Sequence, residues 1–449
     1  KTKQFFKNQS MVPFKNTWYL TDNVSIKNEY DSKFLEEIEK KYNIDLWKIA
    51  YSDREFRKFN KFHKFTDDEI LSILEQECRF FSNILDKFKP NFLATFIPIT
   101  HHNFLLHQMC KNSGVIPLTL ATVKLWKRMM ISKTPLEFDS ITLPQNQKFD
   151  NLDNSNLEKY LYDNDPFKQM TIKKKMNFKD NKFQRYFSIM KFFLGARTKV
   201  YEKRYSNTGR TKSAVFKNKI GNFYNKKQRL SYINKNLETN VPSEVPFVYY
   251  PLHYEPERVL LIDAPYYENQ ISVIGNIAKS LPIGYTLFVK EHPYMETIGW
   301  RDTAFYEEII NLPNVKLFNP TVSQKEMLSK CSLVVTIAGT TCIEAAFYKK
   351  PSIVFTNQLY SILPSVTTIE NVKDLPTTIQ KCLNKDKDTF SVSNFINLLE
   401  ENSFEFDFLK LGSEFAYKFG FIGPVIDSYL DEVEVKSFLE KHNSSFEML

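Results

Sequence analysis

The clearest helical pattern in the first half of the chain lies between residues 67 and 89. Apolar side chains recur there at the three- and four-residue spacing of a helix. Thr66 followed by Glu69 has the form of a capping box, and Pro90 ends the pattern. A long amphipathic helix is therefore predicted at this position.

Two short apolar runs follow this helix, at residues 92–97 and 115–120, with a helical pattern at 101–111 between them. Short buried strands separated by a helix predict a βαβ unit with parallel strands. Residues just beyond the carboxyl ends of such strands line the crevice where ligands bind. His101 and His102, which follow the first run, are therefore expected beside a cleft.

The second half of the chain repeats this alternation with shorter intervals, and beyond about residue 389 the pattern is helical. Strands are predicted at residues 247–250, 285–290, 315–318, 333–337 and 352–355. Helices are predicted between them at residues 270–280, 302–311, 324–330 and 342–349. The alternation is typical of a doubly wound parallel sheet.

These patterns predict an α/β protein with two Rossmann-like doubly wound domains that face each other across a cleft. A length of 449 residues exceeds what one hydrophobic core usually supports. We predict a Rossmann-like N-terminal domain, a basic helical connector, a Rossmann-like C-terminal domain and a helical C-terminal segment that partly packs back across the domain interface. Their predicted bounds are 1–165, 166–240, 241–388 and 389–449.

The net charge of +9 arises from one segment, because residues 167–236 contain 20 Lys and Arg against two acidic residues. Within this segment, residues 183–196 predict a basic amphipathic helix. The segment could dock on an anionic membrane surface, or it could be a solvated connector whose apolar stripe packs on the protein itself. Nucleic acid is not an expected partner, because no recognised binding module accompanies the charge.

The apolar runs and the cysteines of the sequence indicate in which cellular compartment the protein is expected. No run of about 18 uncharged apolar residues occurs, and the first ten residues lack the apolar segment of a secretory signal. We therefore expect a cytoplasmic protein, which could associate peripherally with the inner face of the cell membrane. Five scattered cysteines without CxxC spacing argue against a disulfide framework or a structural zinc site.

His292 lies just beyond the predicted strand at residues 285–290, and Pro293 biases it toward an extended conformation. Its imidazole is therefore expected to project into the crevice. A protonated or hydrogen-bonding ring there could neutralise charge on a leaving phosphate. Lys290 and Glu291 are expected to hold the loop.

Gly339, Thr340 and Thr341 form the turn between the predicted strand at residues 333–337 and the next helix. Glycine permits close approach of a ligand, and the hydroxyls lie beside the free N–H groups of the helix start. This arrangement predicts a phosphate cradle, although threonines are also ordinary helix N-caps. Glu344 could bind ribose hydroxyls, or it could be a first-turn acid that stabilises the helix dipole.

Three segments resemble one family. YYPLHYEPE (249–257), LPIGYTLFVKEHP (281–293) and GTTCIEAAFYKKP (339–351) are similar to the C-terminal domain of the bacterial capsule polysaccharide biosynthesis family, which includes Kdo transferases. The similarity is dense from residue 247 to residue 366. The resemblance implies a GT-B fold, a nucleotide-sugar donor of the CMP-linked type and no catalytic metal.

The resemblance also implies roles for particular residues. His292 and Pro293 match a His-Pro motif at the nucleotide phosphate, Thr340 and Thr341 match a Ser/Thr pair, and Glu344 matches an acid that often binds ribose. The residues assigned to donor binding are His253, Lys290, Pro293, Gly339, Thr340, Thr341 and Glu344.

The motif PLHYEPE (251–257) is more specific to the lineage and is expected near the cleft. The catalytic candidates are His292, Glu255 and Glu257. Asp139 is a further candidate by location, and the choice of base or nucleophile is open. Whether the reaction retains or inverts the anomeric configuration is therefore open too.

The first half of the chain matches the family less well, and acceptor specificity is expected there. His101 and His102 are assigned to the acceptor side, where they could touch acceptor or donor sugar. With His107 so close, three histidines could form part of a metal site. None is predicted, because no carboxylate or further ligand is evident in the sequence.

Together these features predict a glycosyltransferase that moves a sugar, such as Kdo or a related acidic sugar, from a CMP-linked donor to a surface polysaccharide or lipid-linked acceptor. One alternative is a glycerophosphate transferase of the teichoic-acid type. Another is a non-catalytic nucleotide-sugar-binding subunit of a glycan assembly complex. Analogy at the level of the fold does not separate these functions.

Overall fold

The structure is a computed structural model, and it describes the following residues: 14–57, 61–123, 128–134, 136–139, 205–385 and 392–406. Within these ranges the chain forms two α/β units, each built on its own sheet. The predicted amphipathic helix at residues 183–196 lies outside the described residues.

Helices make up the first part of the N-terminal unit. They are α1 (Ser32–Tyr42), α2 (Leu46–Tyr51), α3 (Arg54–Arg57) and α4 (Asp67–Phe88). The long helix predicted from the sequence is α4, and its capping box forms as expected: Glu69 N–H donates to Thr66 Oγ1 and Thr66 N–H donates to Glu69 Oε2. The apolar faces of α1, α2 and α4 share one buried cluster.

The first sheet contains the predicted βαβ unit, formed by β1 (Phe92–Phe96), α5 (His101–Asn112) and β2 (Ile116–Thr122). The next strand, β3 (Arg128–Ser132), was not predicted and runs antiparallel to β2. A connection this short permits only an antiparallel return. The N-terminal sheet is therefore mixed, with a single βαβ unit among its described strands, and it is smaller than the doubly wound sheet that was predicted.

The second sheet has six parallel strands, preceded by helix α6 (Lys212–Asn236). The strands are β4 (Phe247–Pro251), β5 (Thr286–Lys290), β6 (Val315–Phe318), β7 (Leu333–Thr336), β8 (Ser352–Val354) and β9 (Val366–Thr368). The helices among and after them are α7 (Gln270–Ser280), α8 (Met295–Ile298), α9 (Thr303–Ile310), α10 (Gln324–Lys330), α11 (Thr341–Phe347) and α12 (Leu375–Leu383).

The order of these strands is β6-β5-β4-β7-β8-β9, which is the Rossmann order. Because helices cover both faces, strands such as β4 and β5 are apolar and buried almost throughout. The predicted α/β class and doubly wound sheet are confirmed, whereas strand β9 and helices α8 and α12 were not predicted. The order reverses at β4, so a crevice is expected outside the carboxyl ends of β4, β5 and β7.

The C-terminal tail crosses back to the first sheet. Helix α13 (Ser393–Glu401) shares a buried cluster with α11 and with side chains of β2 and β3. The short strand β10 (Phe404–Glu405) then pairs antiparallel with β3. Arg128 fastens the crossing, because its Nη2 donates to the carbonyls of Glu400 and Ser403. The predicted return of the tail is confirmed for the residues that the structure describes.

Within the described ranges, no helix is both long enough and apolar enough to cross a bilayer.

Candidate functional site

His253 lies where the chain leaves β4, at the point where the strand order reverses. Its Nδ1 is 3.0 Å from Glu257 Oε2, and its Nε2 is 3.2 Å from Thr336 Oγ1 at the end of β7. The backbone N–H of Ala338 also donates to Nε2 over 3.4 Å. Because a carboxylate accepts and a backbone N–H donates, these contacts assign the ring proton to Nδ1.

Arg301 is the centre of a buried charge network that the sequence did not reveal. Its Nε donates to Glu291 Oε2 over 3.0 Å, its Nη1 lies 2.9 Å from Glu255 Oε1, and its Nη2 donates to the carbonyl of His253. The Tyr306 hydroxyl donates to the same Glu291 oxygen over 2.7 Å. Burial opposes the charge of Arg301, but the two carboxylates outweigh it and its pKa is raised. The network fastens the loop after β4 to the loop after β5.

Gln270, the first residue of α7, holds the same loop from another side. Its Oε1 accepts from His253 N–H over 2.8 Å, and its Nε2 donates to Glu255 Oε1 over 2.6 Å. Glu255 is thus held by both Gln270 and Arg301. Glu257 contacts His253 through one oxygen, and its other oxygen makes no hydrogen bond with a described residue. Of these two carboxylates, Glu257 is the more available to a substrate.

His292 lies in the loop after β5 and is half-buried. The backbone N–H of Tyr294 donates to its Nδ1 over 3.1 Å, which leaves the ring proton on Nε2. Burial lowers the pKa of His292 to about 4, although the Glu257 carboxylate opposes this shift. The ring is therefore neutral at pH 7, which favours the hydrogen-bonding form of the two that the sequence left open. Its Nε2–H has no partner in the part of the chain that the structure describes.

Lys290 and Thr341 belong to a polar network beside this loop. Lys290 is buried, with Nζ 3.4 Å from Gln324 Oε1, and the Tyr249 hydroxyl donates to the same oxygen over 2.9 Å. Gln324 Nε2 in turn contacts Thr341 Oγ1 at 3.4 Å. The network connects the end of β5 to the start of α11, and Pro293 is exposed beside it.

The turn after β7 uses its glycine for close packing. A Cβ added at Gly339 would lie 2.6 Å from Thr336 Oγ1, the hydroxyl that contacts His253. Thr340 is exposed, and its side chain makes no capping hydrogen bond, whereas Thr341 is buried. The two threonines are therefore not equivalent, and Thr340 is the one that faces solvent. Glu344 is half-buried in the first turn of α11.

His292, His253 and Thr340 follow β5, β4 and β7, which are neighbours in the sheet. Because parallel strands end at one edge, the three residues share that edge. β5 and β7 are two strand spacings apart, or about 10 Å.

His101 does not reach the cleft, which corrects its assignment to the acceptor side. The ring is wholly buried, with Nδ1 2.5 Å from Asp53 Oδ2 and Nε2 3.1 Å from Glu77 Oε1. Burial opposes its charge, but the two carboxylates outweigh burial and raise the pKa of His101 to about 10. Burial likewise opposes the Asp53 charge, and the His101 contact lowers the pKa of Asp53 to about 2.

His102 lies closer to the surface, with Nε2 3.1 Å from Thr100 Oγ1. Burial and the neighbouring His101 lower the pKa of His102. His107 is buried elsewhere on α5, with Nε2 3.3 Å from Thr119 Oγ1. Asp139 lies in an exposed turn, where both of its carboxylate oxygens accept from Lys133 N–H.

Two contacts join the N-terminal unit to the C-terminal unit beside this site. Arg258 Nε donates to the carbonyl of Pro98 over 2.7 Å, and Arg57 Nη1 lies 2.6 Å from Glu268 Oε2. The loop after β1 and helix α3 are thereby held against the loops that follow β4.

Arg54, at the start of α3, was not singled out in the sequence. It is half-buried and makes no hydrogen bond or ion pair with a described residue. Burial and Glu257 raise the pKa of Tyr254 to about 12, and the charge of Arg54 opposes them, which places the guanidinium in the neighbourhood of Tyr254. The Tyr254 ring lies 5.4 Å from the His292 ring. Arg54 is therefore a cation near the candidate site, and its charge also acts on the neighbouring Glu55, where it opposes the rise in the pKa of that carboxyl caused by burial.

The sequence profile of one family, described as capsule polysaccharide biosynthesis protein, matches residues 153–386, more than half of the chain. This chain belongs to the capsule polysaccharide biosynthesis protein family. No curated protein sequence matches it significantly.

Several solved structures are distantly similar. The UDP-GlcNAc 2-epimerase of Methanocaldococcus jannaschii is 11% identical, with a TM-score of 0.27 over 74% of this chain and 80% of that chain. The β-Kdo 2,4 transferase KpsC of Thermosulfurimonas dismutans is 12% identical, with a TM-score of 0.25 over 40% and 55%. Anabaena Alr3699/HepE, solved with UDP-glucose, is 15% identical, with a TM-score of 0.26 over 44% and 52%. At such low scores these similarities define neither the site nor the reaction.

Proposed function

We propose that this chain is a GT-B glycosyltransferase that transfers Kdo or a related acidic sugar from a CMP-linked donor to a surface polysaccharide or lipid-linked acceptor. Membership of the capsule family and the Rossmann strand order support this proposal. The observation that carries it is a pair of hydrogen-bond donors at the edge of the second sheet that have no partner among the described residues. They are the Nε2–H of His292 and the hydroxyl of Thr340, on either side of β4.

In this proposal the two groups hold the donor phosphate. The neutral His292 ring donates one hydrogen bond, which strengthens as negative charge builds on the leaving nucleotide. Thr340 donates from the opposite side of the crevice, and Glu344 accepts from the ribose hydroxyls. Glu291 anchors the His292 loop, because its Oε1 accepts from His292 N–H over 2.6 Å.

Glu257 is the proposed general base for the acceptor hydroxyl. One of its oxygens is held by His253 at 3.0 Å, so the carboxylate is oriented while its second oxygen is available. Glu255 is less suited, because Gln270 and Arg301 both bind its Oε1. In this arrangement His253 is a positioning residue.

Arg54 is the proposed contact for the carboxylate of the acidic sugar. A guanidinium binds a carboxylate through two parallel hydrogen bonds, which fixes the orientation of the sugar as well as its charge. The half-buried position of Arg54 and its lack of a described partner leave its donors available.

A panel of nucleotides tests the donor site. The melting temperature of the full chain is measured with CMP, CDP, UDP and GDP, for the wild type, His292→Gln and His63→Gln. His63 is a partly exposed histidine of the N-terminal unit and serves as the control. We expect CMP to stabilise the wild type and the control, and to stabilise His292→Gln much less. No shift with any nucleotide contradicts a donor site here.

A transfer assay separates the reaction from the alternatives. The chain is incubated with a CMP-linked acidic sugar and with CDP-glycerol, each in the presence of a glycan acceptor. Sugar transfer supports the proposal, whereas glycerophosphate transfer supports the teichoic-acid type. Nucleotide binding without either product supports a non-catalytic subunit.

Helix α6 supports a membrane-facing role for the basic segment. Its outer face exposes apolar side chains at helical spacing, flanked by exposed lysines, while only Val215 and Ile233 of this helix are buried. The exposed residues are Phe216, Ile220, Phe223 and Tyr224, with Lys217, Lys219 and Lys227. We propose that this face docks on an anionic bilayer, where each basic residue contributes about 1 kcal/mol.

Vesicle flotation tests this docking. We expect binding to vesicles that contain anionic lipid, weaker binding for Phe223→Ser, and loss of binding at high salt. Ile283→Ser is the matched control, since Ile283 is a fully exposed apolar residue before β5 and away from α6. Equal binding to neutral vesicles, or an equal effect of both variants, contradicts the proposal.

A further inference from the structure

Three potential metal ligands lie together inside the N-terminal unit. They are Glu77 of α4 and His101 and His102 at the start of α5, and one ligand atom from each lies within 4.8 Å of the others. Two imidazole nitrogens and a carboxylate oxygen form a donor set that binds late first-row divalent ions such as Zn²⁺. The sequence suggested no carboxylate, because Glu77 lies 24 residues before His101.

Two of these side chains carry buried atoms without a partner. Glu77 is fully buried, and its Oε2 makes no hydrogen bond although it lies 3.0 Å from His101 Nε2. His102 Nδ1 is also buried without a partner among the described residues. Buried polar atoms are nearly always paired, so two buried atoms without a partner in one cluster call for an explanation. A cation between them satisfies both.

Asp53 adds a second layer to the cluster. Its Oδ2 lies 2.5 Å from His101 Nδ1 and also accepts from the backbone N–H of His101 over 3.1 Å. A histidine that ligates a metal usually donates its other ring N–H to a carboxylate, which fixes the tautomer and the orientation of the ring. Asp53 holds His101 in that way, with Nε2 directed at Glu77.

We propose that Glu77 Oε2, His101 Nε2 and His102 Nδ1 bind one divalent transition-metal ion of the Zn²⁺ class, with Asp53 orienting His101. A water molecule completes the coordination. The ion ties α4 to the start of α5 and so fixes the loop after β1, whose Pro98 contacts Arg258 of the C-terminal unit. Its role is therefore structural, and it serves to hold the cleft edge in place.

Metal analysis of the full chain, purified without a histidine tag, tests this proposal. The protein is stripped with a chelator, re-equilibrated with Zn²⁺ or Co²⁺, and measured by mass spectrometry and by the visible bands of bound Co²⁺. We expect one equivalent per chain. His102→Gln is expected to weaken binding more than tenfold, and Asp53→Asn to weaken it by roughly 10- to 100-fold.

His107→Gln is the matched control, because His107 is a buried histidine of the same helix that lies outside the cluster. It is expected to keep the stoichiometry of the wild type. His102 is preferred to Glu77 and His101 as the test position, because it is only partly buried and its substitution is expected to disturb the folded core least. Less than a tenth of an equivalent in the wild type, or equal metal content in wild type and His102→Gln, overturns the proposal. In that case His101 carries a proton between its two carboxylates instead.

Discussion

Arg301 and His292 are joined through one carboxylate. Arg301 Nε donates to Glu291 Oε2 over 3.0 Å, and the other oxygen of Glu291 accepts from the backbone N–H of His292 over 2.6 Å. The position of the His292 imidazole therefore depends on the buried ion pair between Glu291 and Arg301.

Replacing Arg301 with Met is expected to destabilise the protein by about 3–5 kcal/mol, because Glu291 and Glu255 are then left without their cation in the interior. Urea unfolding measures the loss. Arg79→Met is the control, since Arg79 also bridges two carboxylates, those of Glu75 and Asp31, but on the surface. Exposed pairs contribute about 0–1 kcal/mol. Similar losses for the two variants contradict the structural role of Arg301.

The pKa of His292 predicts a defined acid sensitivity. Its value of about 4 in the folded chain lies below the ordinary 6.5, so the unfolded chain takes up the proton first as pH falls. The contribution of His292 to the free energy of unfolding is therefore complete above pH 6.5, and it is lost as the pH falls from about 6.5 to about 4. At about 1.4 kcal/mol per pH unit, and discounted for partial exposure, the loss is on the order of 1–2 kcal/mol by pH 5.

Unfolding free energies of the wild type and His292→Gln at pH 7 and pH 5 measure this contribution. The wild type is expected to lose more stability than the variant over that interval, because the variant lacks the titrating ring. Equal losses in the two proteins would mean that His292 is charged or solvated in the folded chain.

The sequence identified elements and residues whose signals are local. Helix α4 carries its own capping box and apolar stripe, and His292 is marked by its place after a buried strand and before Pro293. Both signals lie within a few residues of the feature that they predict. The same holds for the turn at Gly339.

Features that depend on distant parts of the chain could not be predicted in this way. Asp53 lies 48 residues before His101, so nothing near the histidine indicated that its ring would be enclosed by carboxylates. Arg301 follows a short turn with no motif, and its partners become evident only when the loops after β4 and β5 meet. Strand β3 was missed because its residues alternate only weakly between apolar and polar, and because its pairing with β2 arises only in the folded chain.

Glu257→Gln is expected to lower the transfer rate by about 10²–10⁴-fold, because the amide cannot accept the acceptor's proton. The nucleotide-induced rise in melting temperature is expected to be unchanged, since Glu257 is assigned to the acceptor step. Glu255→Gln is the companion variant, and it is expected to lower stability more than Glu257→Gln does, because Glu255 pairs with Arg301. If Glu255→Gln loses turnover while Glu257→Gln keeps it, the base is assigned to the wrong carboxylate.

Gly339→Ala tests whether the packing of the turn controls His253. The added Cβ lies 2.6 Å from Thr336 Oγ1 and must displace the hydroxyl that contacts His253 Nε2. We expect a loss of about 1–3 kcal/mol in the free energy of unfolding, and part of it should be recovered when Thr336→Ala removes the clash. Gly275→Ala is the control, because Gly275 lies in α7 with no atom near its added Cβ, and alanine there should stabilise the helix by about 0.5–1 kcal/mol. If Gly339→Ala is tolerated as well as Gly275→Ala, Thr336 moves freely and does not fix the imidazole of His253.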